Sequence, residues 1–238
     1  MNASPGRIAW VAGASGLTGR FLLDALLDAT EYTRIVAITR RPLGRDHARI
    51  ANRIVPKFDQ LEQLLAGVGC QDAFCCIGTT RAKAGSDAAF RDVDLGEVLH
   101  FATAARRAGA ARFIVVSAVG AAAQSGNAYL RVKGEMEDAV ATLGFAAIDI
   151  AQPGLLLGGE RSESRPVESL ARIAMPLLNP LLTLPGLVDR VGDYRGIGAD
   201  VLARAMVGMA RSGRKGISRH RYGSLLKLSR PREKPKFD

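Results

Sequence analysis

Short apolar runs alternate with amphipathic stretches along most of this chain of 238 residues. The first run, Ile8 to Ala12, is uninterrupted, which is typical of a strand buried on both faces. Gly13, Gly16 and Gly19 follow it, and leucine and alanine then recur at a helical period as far as Thr30. The pattern predicts a strand, a tight glycine turn and a helix.

The same alternation continues beyond the first helix and predicts five further strands with helices between them. Strands that alternate with helices form parallel sheets, so we predict an α/β fold: a Rossmann-like, doubly wound parallel sheet with helices on both faces. The further strands are predicted at Arg34–Thr39, Asn52–Val55, Asp72–Ile77, Arg112–Ser117 and Ala146–Ala151, and the helices at Gln60–Ala66, Ser86–Ala108, Tyr129–Leu143 and Asp200–Met209.

The length of the chain suits one such domain with one core. After the sixth strand the pattern changes to a polar stretch, Glu160–Pro166, and an apolar helical stretch, Val167–Leu182. We expect a single domain over residues 1–238, made of a cofactor-binding core at 1–151, a small C-terminal substrate-side region at 152–212 and a basic segment at 213–238.

The net charge of +10 is concentrated near the C-terminus. From Arg211 onward there are ten lysines and arginines against two acidic residues, so this segment carries +8 of the +10. The body of the chain is nearly neutral, which argues against a nucleic-acid partner. We predict a solvated, partly disordered tail, with contact to acidic partners as the alternative.

Composition excludes several other classes of protein. The three cysteines are odd in number and two are adjacent in an apolar run, which predicts buried free thiols rather than disulfides. The three histidines are scattered, so we predict no metal site. No apolar run approaches the roughly 18 residues that span a bilayer. The first residues lack the pattern of a signal peptide, and we expect a cytoplasmic protein without membrane contact.

The glycine turn indicates a nucleotide site. Glycine accepts backbone angles that other residues resist and lets the main chain approach a ligand closely. The free N–H groups and the positive dipole end of the next helix suit a pyrophosphate. A turn without a ligand is the alternative, but the strand–turn–helix context favours dinucleotide binding, with the spacing GxxGxxG rather than GxGxxG.

The end of the second strand bears on which dinucleotide is bound. In NAD-binding folds an acidic residue near this point binds the ribose 2′-hydroxyl. Here Thr39, Arg40 and Arg41 stand there, and the first carboxylate comes only at Asp46. Guanidinium groups bind phosphate through paired hydrogen bonds, so we favour NADP(H) over NAD(H). Ordinary surface charge is the alternative.

Tyr129 and Lys133 form a Y-x-x-x-K pattern at the start of a predicted helix, which places them on one face. A neighbouring lysine favours the phenolate and so lowers the pKa of the tyrosine. Such a tyrosine can exchange a proton with a substrate oxygen during hydride transfer. Ser117, at the end of the fifth strand, can hydrogen-bond the same oxygen. A chance surface pair of Tyr and Lys is the alternative.

The chain also resembles a known family. Its glycine spacing is similar to that of the short-chain dehydrogenase/reductase superfamily, and segments spread between Ile8 and Pro166 resemble the Tat-interacting-protein-like branch of atypical members. The resemblance implies a Rossmann fold, NADP(H) binding and an oxidoreductase whose substrate is poorly defined. The segments are GASGLTGR, FCCIGTTRAKAG, YLRVKGEME, PGLLL and ESRP.

The resemblance also implies roles for individual residues. Arg40 and Arg41 would bind the 2′-phosphate, and Asp59 would meet the adenine amine, with a helix cap as its alternative role. Ser117, Tyr129 and Lys133 would take the catalytic or cofactor-ribose positions. The remaining cofactor-binding candidates are Gly13, Ser15, Gly16, Leu17, Thr18 and Gly19 at the pyrophosphate, Gly78, Thr79 and Thr80 beside the nicotinamide ribose, and Pro153.

Two features of the sequence depart from the pattern of the family. Ala118 and Val119 follow Ser117, where the family often shows a second serine and a lysine. Gln152 replaces the arginine that frequently precedes Pro-Gly. Both departures bear more on turnover than on cofactor binding.

Three functions are consistent with these features. The first is an NADP(H)-dependent oxidoreductase that acts on a small carbonyl or alcohol. The second is a catalytically weak NADP(H)-sensing protein that regulates a protein partner, a function suggested by the incomplete serine motif and the basic tail. A nucleotide-sugar epimerase or dehydratase ranks lower, because it usually needs a larger C-terminal region. The sequence is compatible with a monomer or a homodimer.

Overall fold

The computed structural model describes residues 6–158 and 192–231. Within these residues, seven strands form one parallel sheet in the order β3-β2-β1-β4-β5-β6-β9, and β7 pairs with β8 separately. The predicted Rossmann-like α/β fold is confirmed. The strands are β1 (Arg7–Ala12), β2 (Tyr32–Thr39), β3 (Ile50–Ile54), β4 (Asp72–Cys75), β5 (Arg112–Val116), β6 (Ala147–Ala151), β7 (Leu156–Leu157), β8 (Ile197–Gly198) and β9 (Gly216–His220).

Helices cover both faces of the sheet and bury two separate apolar clusters. One cluster contains Leu22, Met206 and Leu225 from the helices on one face, and the other contains Phe101 and Met136 from the opposite face. Because both faces are covered, the central strands are mostly apolar, as the uninterrupted first run predicts, with the buried Asp72 in β4 and Asp149 in β6 as exceptions. The α-helices in residues 6–158 and 192–231 are α1 (Leu17–Asp28), α2 (Leu61–Leu64), α3 (Arg81–Ala84), α4 (Asp87–Arg91), α5 (Val98–Arg107), α6 (Ala128–Ala141), α7 (Ala199–Arg211) and α8 (Tyr222–Leu228).

All six predicted strands are present, each end within two residues of its predicted place. Between β1 and β4 the strand order reverses, because the chain first moves outward to β3 and then returns to the other side of β1. Such a switch point leaves a crevice at the carboxyl ends of the strands, where nucleotides bind in open α/β sheets. The glycine turn after β1 lies at this point.

The predicted continuous helix Ser86–Ala108 is interrupted. Residues Asp92–Glu97 form a π-helical segment between α4 and α5. A π segment changes the angular position of the side chains that follow and often occurs at functional sites. Here it contains Asp94, whose carboxylate is fully buried.

The expectation of a solvated C-terminal tail is wrong for its first part. Residues 216–220 form β9, the seventh strand, which pairs in parallel with β6, and residues 222–228 form α8. Arg219 of β9 pairs with the buried Glu137, and His220 contacts the buried Asp149, so both side chains have partners within the fold. The stretches Glu160–Pro166 and Val167–Leu182 lie outside the described residues.

Within the described part of the chain, no helix combines the length and the apolar character needed to cross a membrane.

Candidate functional site

In the glycine turn, main-chain segments lie too close to one another to leave room for side chains at two of the glycines. Gly13 has φ +75°, and a Cβ placed on it would lie 2.6 Å from the carbonyl carbon of Cys76. A Cβ on Gly19 would lie 2.1 Å from the Gly13 carbonyl oxygen. Glycine is therefore required at both positions, because a Cβ at either would overlap main-chain atoms. At Gly13 the positive φ angle also favours glycine. Gly16 N–H donates to the same Gly13 oxygen at 3.0 Å and closes the turn.

The beginning of α1 is open to a ligand. No side chain caps the helix, its first turn contains no acidic residue, and both Ser15 and Gly16 are exposed. Leu17 is half-buried and Thr18 buried, so the turn presents main-chain rather than bulky side-chain groups. Uncapped N–H groups at the positive end of a helix suit an anion. These residues therefore fit the pyrophosphate of a dinucleotide.

Gly19→Ala is expected to lower the free energy of unfolding by about 1–3 kcal/mol, because the added methyl group overlaps the Gly13 carbonyl. It should also abolish cofactor binding, since relief of the overlap moves the turn. Gly223→Ala in α8 is the control, because its Cβ would meet nothing within 4 Å. Urea unfolding and NADPH titration of both variants measure the two effects. Normal stability and binding in Gly19→Ala would contradict the described turn.

At the end of β2, hydrogen bonds fix the loop that carries the two arginines. Thr39 Oγ1 donates to the Arg41 carbonyl at 2.7 Å and accepts from Asn52 Nδ2 at 2.7 Å. The side chains of Arg40 and Arg41 are exposed, and within the part of the chain that the structure describes Arg40 makes only a long contact of 3.9 Å to Glu97. Burial raises the pKa of Glu97, against the opposing charge of Arg40. The two guanidinium groups are therefore accessible to a phosphate.

Asp59 lies exposed in a single 3-10 turn, Phe58–Gln60, that leads into α2. Neither this turn nor α2 has a side-chain cap, so the alternative role of Asp59 as a helix cap is wrong. Its contact with an adenine amine stays a prediction.

Lys133 forms a buried ion pair with Asp94 at the edge where β4 ends. The distance from Lys133 Nζ to Asp94 Oδ1 is 2.7 Å, and Lys133 is 4% exposed. Asp94 Oδ2 also accepts the Thr79 N–H at 2.9 Å. A Cβ on Gly78 would lie 3.5 Å from Asp94 Oδ1 and 3.7 Å from Lys133 Nζ, so the loop after β4 packs on this pair. Thr80 caps α3 by accepting the Lys83 N–H.

The pKa values of this group follow from burial and from the ion pair. Burial alone would lower the pKa of Lys133, but the charge of Asp94 raises it above its usual value. Tyr129 is half-buried, and its ring lies 5.6 Å from that of Phe90. Burial raises the pKa of Tyr129, Asp94 adds to this, and Lys133 only partly opposes it. The predicted lowering is wrong for this structure, because burial raises the pKa of Tyr129 by more than the charge of Lys133 lowers it.

Ser117 points away from open solvent and into a buried polar cluster. Ser117 is 4% exposed, and its Oγ donates to Glu137 Oε1 at 2.6 Å. The same Glu137 oxygen accepts from Gln152 Nε2 at 2.8 Å, and Glu137 Oε2 accepts from Arg219 Nε at 2.8 Å. Arg221 Nε donates to Gln152 Oε1 at 3.3 Å, so Arg221 supplies a guanidinium next to Gln152, where the family pattern leads one to expect an arginine. Pro153 is buried, and its carbonyl accepts the Val119 N–H at 3.0 Å.

Three charged groups that contact these residues were missed in the sequence analysis, namely Asp94, which pairs with Lys133, and Glu137 and Arg219, which pair with each other beside Ser117. Asp94 lies four residues after Phe90 and four before Val98, so a carboxylate in an otherwise apolar helical stripe was the available signal. Glu137 follows Lys133 by one helical turn on the face that begins at Tyr129. Arg219 gave no local signal, because its partner is 82 residues away in sequence.

Among the residues that the structure describes, no cluster of three or more histidine, cysteine or acidic side chains could bind a metal ion. The three cysteines are free thiols, with Cys70 and Cys75 buried and Cys76 partly so.

Comparison with known proteins identifies the family of the chain. A family model described as NAD(P)H-binding matches residues 13–169. Protein HTATIP2 of Rattus norvegicus is 39% identical over 166 residues, which cover 68% of each chain. The mitochondrial protein fmp52 of Aspergillus clavatus is 34% identical over 201 residues, which cover 82% of this chain and 83% of the relative.

Solved structures share the fold at low sequence identity. A UDP-glucose 4-epimerase of Thermotoga maritima, solved with UDP-glucose, has a TM-score of 0.66 and 13% identity, covering 93% of this chain and 81% of its own. The enzyme WbmF of Bordetella bronchiseptica, solved with NAD⁺, has a TM-score of 0.66 and 14% identity. The match covers 94% of this chain and 76% of WbmF. These likenesses concern the fold alone.

The relatives also correct one expectation. Several of them, from Scheffersomyces stipitis, Aspergillus clavatus, Emericella nidulans and Debaryomyces hansenii, are named as mitochondrial proteins. The expectation of a cytoplasmic protein is therefore wrong on this comparison, and it came only from the lack of a signal-peptide pattern.

Proposed function

Because the chain belongs to the NAD(P)H-binding family, in the atypical short-chain dehydrogenase/reductase branch of HTATIP2 and FMP52, we propose that it is an NADP(H)-dependent oxidoreductase acting on a small carbonyl or alcohol. The observation that supports this most directly is the buried ion pair between Lys133 and Asp94. Lys133 lies on the helix that carries Tyr129, and the pair packs against Gly78. A lysine so buried and so paired cannot be a chance member of a surface Tyr/Lys pattern.

The residues near the glycine turn suit NADP(H). The open beginning of α1 offers N–H groups to the pyrophosphate, with Ser15 and Gly16 exposed there. Arg40 and Arg41 offer guanidinium groups to the 2′-phosphate at the end of β2, where Thr39 stands in place of an acid. Gly78, Thr79 and Lys133 would line the nicotinamide ribose.

The proposed chemistry is proton transfer by Tyr129 coupled to hydride transfer. When bound, NADPH supplies a hydride to the carbonyl carbon and is oxidised to NADP⁺. The C=O π electron pair moves to oxygen, which takes the proton of Tyr129 Oη, so the carbonyl becomes an alcohol. Lys133, held by Asp94, contributes a fixed positive charge beside the phenol. The raised pKa of Tyr129 keeps this proton in place at neutral pH, which favours the direction of reduction.

Ser117 can accept a hydrogen bond from a substrate but has no free proton to donate to one. Its hydroxyl proton is donated to the Glu137 carboxylate, which can only accept. The oxygen of Ser117 therefore has lone pairs but no proton for a further partner. It suits an alcohol O–H and does not suit a carbonyl oxygen.

One observation favours the second candidate, a catalytically weak NADP(H)-sensing protein. Ser117 has no proton to offer a substrate, and Ala118 and Val119 provide no side-chain donor. Such a protein would bind NADPH as tightly as an enzyme does but would show no substrate-dependent oxidation of it.

Paired fluorescence titrations with NADPH and NADH, followed by a carbonyl panel, test the proposal. We expect NADPH to bind at least about tenfold more tightly, a difference of about 1.4 kcal/mol. Substrate-dependent NADPH oxidation is then measured with aliphatic and aromatic aldehydes, ketones and quinones, including 9,10-phenanthrenequinone. Cofactor binding without oxidation across the panel would favour the sensing protein, and no binding of either cofactor would exclude both candidates.

Replacement of both Arg40 and Arg41 by alanine is expected to weaken NADPH binding at least about tenfold while changing NADH binding little, because only NADPH carries the 2′-phosphate. Arg45→Ala is the matched control, since Arg45 lies in the same loop but pairs with Asp24 at 2.7 Å. The same titrations measure all three proteins. Equal losses for NADPH and NADH would contradict the assignment of the two arginines.

A further inference from the structure

The loop after β5 lacks a side-chain donor for a carbonyl oxygen. Ser117 donates its only hydroxyl proton to Glu137, and the next two side chains, Ala118 and Val119, are apolar. A carbonyl that gains a hydride develops negative charge on its oxygen, and a second donor besides the general acid stabilises that charge. If Tyr129 acts as the acid, that second donor has to come from another part of the chain.

Tyr194 brings a hydroxyl group to this loop. A Cβ placed on Gly120 would lie 3.3 Å from Tyr194 Oη and 3.5 Å from Leu130 Cδ1. Gly120 directly follows Ala118 and Val119, and Leu130 directly follows Tyr129 in α6. The Tyr194 hydroxyl is thus at the turn where the missing serine would stand and next to the helix that carries the proposed acid.

Packing of the main chain fixes the position of Tyr194. A Cβ on Gly154 would lie 2.6 Å from the Tyr194 carbonyl oxygen, so the Pro-Gly pair after β6 leaves room for this residue only because it ends in glycine. The preceding Asp193 is paired with Arg221 Nη1 at 3.3 Å. Among the described residues, the half-buried Tyr194 has no hydrogen-bond partner for its hydroxyl. The hydroxyl is therefore placed and available.

We propose that Tyr194 is a catalytic residue that donates a hydrogen bond to the substrate carbonyl oxygen and so replaces the second serine of the family pattern. This inference rests on the proposed oxidoreductase function. Tyr194 keeps its proton throughout: the proton that forms the alcohol comes from Tyr129, and the Tyr194 hydroxyl only stabilises the charge that develops on oxygen.

Tyr194→Phe tests the inference, because the ring and its packing are kept while the donor is lost. With NADPH and 9,10-phenanthrenequinone, we expect kcat to fall at least about tenfold, within the range for a lost oxyanion donor, at unchanged NADPH affinity. Tyr222→Phe is the matched control, since this nearby tyrosine packs its ring against Arg195. A normal kcat in Tyr194→Phe would overturn the inference.

Two further measurements separate catalysis from a structural effect. Ala118→Ser in the Tyr194→Phe background restores the serine of the family and should recover much of kcat, which repair of packing alone would not do. Calorimetric titration of the NADP⁺ complex with 9,10-phenanthrenequinone, where no turnover occurs, should show a Kd about fivefold higher for Tyr194→Phe. An unchanged Kd together with no rescue would overturn the inference.

The same set of proteins separates failure of the inference from failure of the proposed function. If wild-type protein reduces nothing, or if Tyr129→Phe is as active as wild type, the proposed function fails and the inference fails with it. If Tyr129→Phe is inactive while Tyr194→Phe is fully active, only the role of Tyr194 fails.

Discussion

Replacement of Tyr129 by phenylalanine is expected to lower the rate of carbonyl reduction by about 10²–10⁴-fold, the usual contribution of a positioned general acid. The ring would keep its contact with Phe90 and its place on α6, so the loss concerns only the hydroxyl group. Lys133 would stay buried and paired with Asp94, and NADPH affinity should therefore change little. Steady-state kinetics with NADPH titration measures both quantities.

The pH dependence of reduction follows from the same group. The protonated phenol is the active acid, and its pKa is raised by burial above the ordinary value of about 10. The part of the rate that depends on Tyr129 should therefore stay constant from neutral pH to about 10 and be lost as pH rises through the raised pKa. A fall centred near pH 8 in wild type, or an unchanged rate in Tyr129→Phe, would contradict this role. Tyr222→Phe, which changes a tyrosine outside the pattern, controls for general effects.

Asp149→Ala is expected to lower the free energy of unfolding by about 2–4 kcal/mol, because it removes a buried carboxylate that pairs with Arg112 and hydrogen-bonds His220. Asp149 Oδ2 accepts from Arg112 Nη1 at 2.8 Å, and Asp149 Oδ1 accepts from His220 Nε2 at 2.8 Å. The side chain of Asp149 is 1% exposed and those of its partners are 11% and 2% exposed. The carboxylate thus joins β6 to β9. His220 Nδ1 also contacts Ser224 Oγ at 3.0 Å, which extends the connection to α8.

Guanidinium unfolding followed by circular dichroism measures this loss as a lower midpoint at an unchanged slope. Arg204→Ala is the control, because it breaks the exposed pair with Asp200 within α7 and should change stability by less than about 0.5 kcal/mol. Equal stability of the two variants would mean that β9 contributes little to the folded state through Asp149.

The period of the apolar residues predicted the sheet and its helices well. Buried strands such as Ile8–Ala12 need apolar side chains on both faces, and this requirement is local in sequence. The glycine turn was also predicted from the sequence, because it depends on close contacts that are local. Gly19 contacts the main chain of Gly13, six residues away, and Gly13 contacts the main chain just after the neighbouring strand β4. The pair Tyr129 and Lys133 was found for the same reason, since their spacing alone places them on one helix face.

The parts that escaped prediction depend on partners far away in sequence. Strand β9 has mostly polar side chains at a sheet edge, and Arg219 and His220 belong there only because Glu137 and Asp149 are buried opposite them. The π segment around Asp94 likewise depends on a distant partner, because Asp94 is buried where it pairs with Lys133 of α6. A basic residue with a buried carboxylate partner and a basic residue in water look alike in sequence. Net charge therefore suggested a tail where a strand is formed.

Strand β9 also has a consequence for the order of assembly. It pairs with β6, yet its side-chain contacts join Arg219 to Glu137 across 82 residues and His220 to Asp149 across 71 residues. During synthesis the N-terminal strands leave the ribosome first. Asp149 already has Arg112 of β5 as a partner. Until residues 216–220 emerge, however, Glu137 on α6 lacks its guanidinium partner Arg219, and burying an unpaired carboxylate is costly. Docking of α6 therefore waits for β9, and a nascent chain can have a complete glycine turn well before Tyr129 and Lys133 are fixed in place.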